Sequence, residues 1–153
     1  MKQSAGILLY RKADNVLQFF LVHPGGPFYK NKDAGAWSIP KGEFLDDEEP
    51  LNAAKREFEE ETSQPITGNF IPLGSVKLKS GKTVHAWGVE GDIDHETIIS
   101  NTCEIEWPPH SGKKITIPEI DRAGWFNATI AKQRMNAAQA IFIERLINVI
   151  AGD

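Results

Sequence analysis

The chain is poor in the features that would place it outside ordinary globular chemistry. It has one cysteine, Cys103, so no disulfide can form within it, and a small, partly buried thiol is the expected role for that residue. No stretch approaches the ~20 apolar residues of a membrane span. The N-terminal run through Tyr10 is also too short for the apolar core of a secretory signal followed by a cleavage site. There is no excess of positive charge: 17 Lys and Arg stand against 21 Asp and Glu, a net charge of −4. Neither nucleic acid nor an anionic membrane is therefore expected as a partner, and an anionic ligand has to be held by local cations or bound metal. Repeats, low-complexity tracts and an internal linker are all missing. Together these absences set the expectation of a reduced, cytoplasmic setting and of a single domain over 1–153, a length that supports one core.

The apolar segments are short and interleaved. Ala5 to Tyr10 and Val16 to Val22 read as strands of a hairpin, turning at Asp14-Asn15. His23 to Ala36 is rich in glycine and proline and reads as a long loop, followed by a short extended piece over Trp37 to Pro40. Asp46 to Pro50 marks a helix start that favours acidic residues and proline, and that helix runs to about Thr62 with Leu51, Ala54 and Phe58 on its apolar face. Phe70 to Leu78 and Thr83 to Val89 predict a second hairpin. Glu104 to Trp107, Ile115 to Ile117 and Trp125-Phe126 predict short extended pieces. Asn127 and Asn136 are placed to cap two further helices, the second over Ala137 to Ile150. The pattern is that of an α/β protein, a mixed sheet packed between helices.

The densest chemistry lies in the acidic helix. At about 100° per residue, Glu57, Glu60 and Glu61 project to one side, while Glu59, about 200° from Glu57, faces away. Carboxylates crowded in this way repel one another, and hard oxygen donors in a cluster suit a cation such as Mg²⁺, Mn²⁺ or Ca²⁺. The spacing around them is specific. Gly42 is followed after five residues by Glu48, and after seven more by Arg56-Glu57-Phe58-Glu59-Glu60-Glu61. This segment resembles the Nudix box, with Gly42, Glu48, Arg56, Glu57, Phe58, Glu60 and Glu61 on its fixed positions. Two positions depart: Ser63 stands where the family usually has glycine, and Gln64 where it usually has an apolar residue. The glycine ends the helix in a left-handed conformation, so serine there is a structural departure of about 1 kcal/mol. Ser4 to Leu9, Trp37 to Gly42, and Glu119-Ile120 followed by Trp125-Phe126 resemble the family's first strand, its approach to the box and its downstream strand.

The resemblance implies a Nudix-type α/β/α sandwich that hydrolyses a pyrophosphate bond in a nucleoside diphosphate linked to another moiety, with Mg²⁺ or Mn²⁺ as cofactor. It implies Glu57, Glu60, Glu61 and the backbone carbonyl of Lys41 as metal ligands, with Arg56 and Glu48 as a supporting pair. Glu119 ranks ahead of Glu104 and Glu106 as the extra base or ligand from outside the box. A small-molecule nucleotide is the expected partner. Lys41 and His23 are candidates for contacting it, and Trp37, Phe28 and Tyr29 for stacking a base, with packing beneath the helix the competing role for Trp37. The Lys77, Lys79 and Lys82 set is better read as a solvated turn, His85 as an ordinary strand histidine, and His110, Lys113 and Lys114 as a loop able to cover substrate. Pro40-Lys41 before Gly42 resembles dinucleoside polyphosphate hydrolases more than enzymes that clear oxidised deoxynucleotides. The rival reading is a nucleotide sensor of the same fold that is catalytically weak.

Overall fold

The computed structural model describes residues 2–152. Its strands are β1 (Gln3–Ala13), β2 (Val16–Pro24), β3 (Lys41–Glu43), β4 (Ile71–Lys77), β5 (Thr83–Glu90), β6 (Thr102–Glu106), β7 (Lys114–Pro118) and β8 (Ile120–Asn127). The helices are α1 (Pro50–Thr62), α2 (Ala128–Arg134) and α3 (Ala140–Ala151). The main sheet runs β4-β5-β1-β2-β8, with β3 added on β1. β1 pairs parallel with β5 and antiparallel with β2 and β3, so the sheet is mixed.

The unbroken apolar runs of β1 and β2 follow from cover on both faces, as buried strands require. Leu8, Phe19 and Leu21 point to one side, where they meet Phe142, Ile143 and Leu146 of α3 and Ala131 of α2. Ile7, Leu9, Phe20 and Val22 point to the other and meet Ala53, Ala54 and Phe58 of α1. The α/β/α expectation is met. No helix among the described residues is long and apolar enough to cross a membrane.

Three details position the site. α1 starts at Pro50, as the sequence predicts, and ends on Ser63 in the left-handed conformation (φ 61°), whose N–H donates to Glu59 O at 2.7 Å. Serine tolerates this glycine position because its hydroxyl donates to Ile99 O at 2.5 Å. The short strand β3, which three residues cannot announce by periodicity, lays the start of the box along β1, pairing Ala5 with Gly42 and Gly6 with Lys41. β6 and β7 form a hairpin of their own, off the main sheet, whose root is closed by Glu119 N–H donating to Asn101 O at 2.9 Å. Elsewhere Asn127 caps α2 as expected, accepting from Ile130 N–H at 2.9 Å. Asn136 does not cap α3 directly. It opens a turn in which its Oδ1 accepts from Ala138 N–H, and α3 begins four residues later at Ala140.

Candidate active site

Arg56 organises the acidic face of α1. Its Nε and Nη2 donate to both oxygens of Glu48 at 2.8 and 2.9 Å, the two-pronged match of guanidinium to carboxylate. That grip from the preceding loop leaves Nη1 facing the helix, where it donates to Glu57 at 2.9 Å and to Glu60 at 3.2 Å. The bond to Arg56 holds the Glu48 carboxyl below its ordinary range. Glu59 is exposed and outside this network, as the helical angle predicts.

Glu57 and Glu61 are buried, at 8% and 4% exposed, whereas Glu60 is open to solvent. Gly42 is a glycine because of Glu57: a Cβ on Gly42 would occupy the space of the Glu57 carboxyl group. The backbone N–H of Lys41 donates to the Glu61 carboxylate, so β3 is pinned to α1 at two successive residues. Glu119, at the β7–β8 junction, completes the group. The Asn101 side chain donates to its carboxylate, and the Asn101 N–H donates to Glu60 O at 3.0 Å. Asn101 thus ties Glu119 to the end of α1. Nothing in its sequence context distinguishes an asparagine with this role from any loop asparagine.

The electrostatics carry a consistent sign. Burial, then the Glu57 and Glu119 charges, push the Glu61 carboxyl well above its ordinary value. Burial and Glu60 raise Glu57 against the opposing pull of Arg56, and burial and Glu60 raise Glu119. Burial and the nearby Lys82 lower the Lys41 ammonium. Three carboxyls held above their ordinary range, Glu57, Glu61 and Glu119, with the Glu60 carboxylate adjoining, are a hard-oxygen donor set that a divalent cation would relieve. Glu57, Glu60, Glu61, Glu119 and the Lys41 carbonyl are the groups able to hold one. Among the described residues no three acidic, imidazole or thiol side chains stand as a finished cage, and Arg56 Nη1 is the group drawing Glu57 and Glu60 as they stand.

Three cavities open on this cluster: one of about 700 Å³ beside Arg56, Glu60 and Asn101, and two that share Lys41 and Glu119. Of these two, the large cavity, about 450 Å³, runs from Glu61, Lys41 and Glu119 to Tyr29, Trp37, Asn136 and Gln139. The small cavity, about 390 Å³, is lined by Ser4, Lys41, Glu57, Lys82 and Glu119 among others. Lys82 therefore belongs to the site rather than to a solvated turn, with Nζ 3.3 Å from Glu43.

His23 differs from its expected place at a substrate. It is fully buried, with Nδ1 2.8 Å from Asp121 and Nε2 2.6 Å from Lys32 O, and it lines none of the three cavities. The strand that carries it ends one residue later, so its side chain still points into the packed layer. Trp37 reaches the large cavity but is 4% exposed, with Nε1 donating to Asp33 at 2.6 Å and its ring packed edge-on against His23 and Phe126. Packing is its main role. Phe28 meets Tyr29 edge-on and carries Lys32 over its face. Glu104 pairs with Lys114, and Glu106 accepts from His110 N–H, so both serve the β6–β7 hairpin. His85 lies 2.7 Å from Gln3, an ordinary strand contact. Cys103 is a partly buried thiol lining the large cavity, raised by burial and by Glu119, which opposes nucleophilic use.

The NUDIX domain profile matches residues 1–146. No curated protein is significantly similar to the chain. Among solved structures, a Caenorhabditis elegans Ap4A hydrolase in a binary complex is similar at 20% identity and a TM-score of 0.69, covering 100% of both chains. The NUDIX domain of Shewanella oneidensis NrtR complexed with ADP ribose is similar at 15% identity and a TM-score of 0.66, covering 97% of this chain and 87% of that one. A MutT/nudix family protein from Listeria innocua is similar at 18% identity and a TM-score of 0.64, covering 99% and 94%. At such identities the likeness is one of fold. The profile spans nearly the whole chain, and the chain belongs to the Nudix family.

Proposed function

We propose that the chain acts as one Nudix hydrolase domain over 1–153 that cleaves a dinucleoside polyphosphate, or another nucleoside diphosphate linked to a second group, with Mg²⁺ or Mn²⁺ bound. The observation that carries the reading is the gathering of Glu57, Glu60, Glu61 and Glu119 within reach of one another's charge, with Glu61 and Glu119 lining the 450 Å³ cavity together with Lys41. A divalent cation held there supplies charge neutralisation on the phosphate oxygens and lowers the pKa of a bound water. Glu57, Glu60, Glu61 and the Lys41 carbonyl are its proposed ligands. Arg56 keeps Glu57 and Glu60 aligned, and the Glu119 carboxylate, held by Asn101, takes the proton from the attacking water. Lys41 and Lys82 offer positive charge to the phosphates, and the cavity beyond Trp37 takes the nucleoside. The likeness to an Ap4A hydrolase and to a domain complexed with ADP ribose supports a ligand of this class.

The test is a panel of dinucleoside polyphosphates, nucleotide sugars and deoxynucleoside triphosphates with Mg²⁺ or Mn²⁺, read by chromatographic separation of the nucleotide products. Turnover of a panel member supports the reading. Nucleotide binding with no turnover makes the chain a sensor instead. Glu60→Gln should lower turnover by about two orders of magnitude or more while leaving the melting temperature near that of the parent, because Glu60 is open to solvent. Full activity in that variant would remove Glu60 from the ligand set.

A further inference from the structure

Gln139 lines the large cavity yet is only 2% exposed. Its Oε1 accepts the backbone N–H of Ile39 at 3.2 Å. A backbone N–H only donates, so the orientation of the amide is settled, with oxygen to Ile39 and nitrogen away from it. Nε2 donates to no group among the described residues, and it is not one of the sealed, partnerless side-chain atoms, which are Ser4 Oγ and Asn101 Oδ1. Nε2 therefore keeps some exposure, and the cavity that Gln139 lines is where it can donate. Asn136, at the rim of the same end, repeats the arrangement: Oδ1 is taken by Ala138 N–H at 3.1 Å, and Nδ2 has no acceptor among the described residues. In both carboxamides the oxygen is already engaged by a backbone N–H while the nitrogen keeps its donors. A free carboxamide offers one donor and one acceptor side by side, which matches the adenine edge. In these two the oxygen is turned to the backbone, so the donor side predominates.

We propose that this end of the cavity recognises a keto nucleobase (guanine, hypoxanthine or uracil) in preference to an amino base such as adenine or cytosine. The proposal rests on the nucleotide reading above and names the base. The keto oxygen at purine position 6 or pyrimidine position 4 accepts hydrogen bonds, whereas the amino group found there in adenine and cytosine donates them. An amino group placed against Gln139 Nε2 would leave donors facing donors in a buried pocket, an unsatisfied arrangement that disfavours binding. Tyr29 also lines the cavity, and an aromatic ring suits a planar heterocycle rather than a sugar, whose hydroxyls both donate and accept. The acidic end of the same cavity then receives the pyrophosphate.

The decisive comparison is inosine 5′-monophosphate against adenosine 5′-monophosphate, which differ only at purine position 6 and the adjoining N1. Calorimetric titration of the full chain with Mg²⁺ should show the inosine nucleotide binding at least about tenfold more tightly. Gln139→Glu keeps an oxygen for the Ile39 N–H and replaces the free donor by an acceptor, so the ratio should fall to one or below. If burying that carboxylate unfolds the chain, Asn136→Asp, at the exposed rim, keeps the bond to Ala138 and should lower the ratio severalfold. Equal affinity in the parent protein, tighter binding of the adenosine nucleotide, no binding of either, or a ratio unmoved in every folded variant would overturn the proposal. Turnover of diinosine and diadenosine tetraphosphate is measured in parallel. Absence of all turnover would count against the hydrolase reading, while the binding ratio still decides the base.

Discussion

Gly42→Ala isolates the tightest contact in the site. Gly42 is not among the residues with positive φ, so alanine meets no backbone strain and the perturbation is purely steric. The added Cβ falls on the Glu57 carboxyl group, which is 8% exposed and bonded to Arg56. Two responses are open. β3 can move away from β1, breaking the pairing of Ala5 with Gly42, or Glu57 can swing out and lose its charge-assisted bond at 2.9 Å. Overpacking of this kind costs about 1–3 kcal/mol, and losing a hydrogen bond to a charged group costs about 1.5–3 kcal/mol. Only one of the two responses occurs, so a loss of about 2 kcal/mol is expected, which at this chain length lowers the melting temperature by roughly 4–8 °C. The assay is a double-mutant cycle read by thermal or urea unfolding: Gly42→Ala, Glu57→Ala and the pair. With the Glu57 carboxyl removed the clash is gone, so Gly42→Ala should cost less than about 0.5 kcal/mol in the Glu57→Ala background. Equal penalties in both backgrounds would refute the claim that Gly42 exists to admit Glu57. In the otherwise parental protein the same substitution should reduce divalent-cation affinity and turnover at least tenfold, on the general scale of misplaced site groups.

Other outcomes follow from the same geometry. The folded-state pKa of Glu61 is raised, so the folded protein binds more protons than the unfolded chain above the ordinary carboxylate value. The Glu61 contribution to stability is therefore greatest below that value and is lost as pH rises through the folded pKa. In chelator, Glu61→Gln should be more stable than the parent near pH 8 and should converge with it near pH 4, and melting scans without that crossover would contradict the sign. His23→Ala should destabilise the fold by about 2–4 kcal/mol, since it opens a cavity and strands buried partners, yet leave KM nearly unchanged. A raised KM with normal stability would restore His23 to the substrate. Ser63→Gly relieves the left-handed residue but deletes the hydroxyl bond to Ile99 O, so urea unfolding should show a change below about 1 kcal/mol.

The helix and its acidic face were legible because helical geometry converts spacing into direction, and because the positions of Gly42, Glu48 and Arg56 fix the loop that leads into it. The roles of the unpatterned residues were hidden. Asn101 acts through two backbone bonds and one side-chain bond to groups far away in sequence, which leave no periodic trace. Lys82 looked like a turn lysine because only the parallel pairing of β1 with β5 carries it to Ser4 and Lys41. His23 was misjudged for the opposite reason: a glycine-proline loop follows it, but β2 still holds its side chain inside. Gln139, expected within a helix, is the residue before α3, and its amide was invisible until Ile39 was brought beside it.

The Asn101–Glu119 hydrogen bond divides the chain's freedom to change. Everything between those residues, from Thr102 to Pro118, leaves and re-enters at one fixed point, while Asn101 N–H stays on Glu60 O. A hairpin rooted in this way can lengthen, shorten or be replaced without moving Glu119 relative to α1. Its root residues Cys103 and Ile117 nevertheless line the cavity, so such changes reach the ligand. Part of the cavity wall therefore sits on a separately adjustable piece of one short chain, and diversity can accumulate there without displacing the acidic cluster.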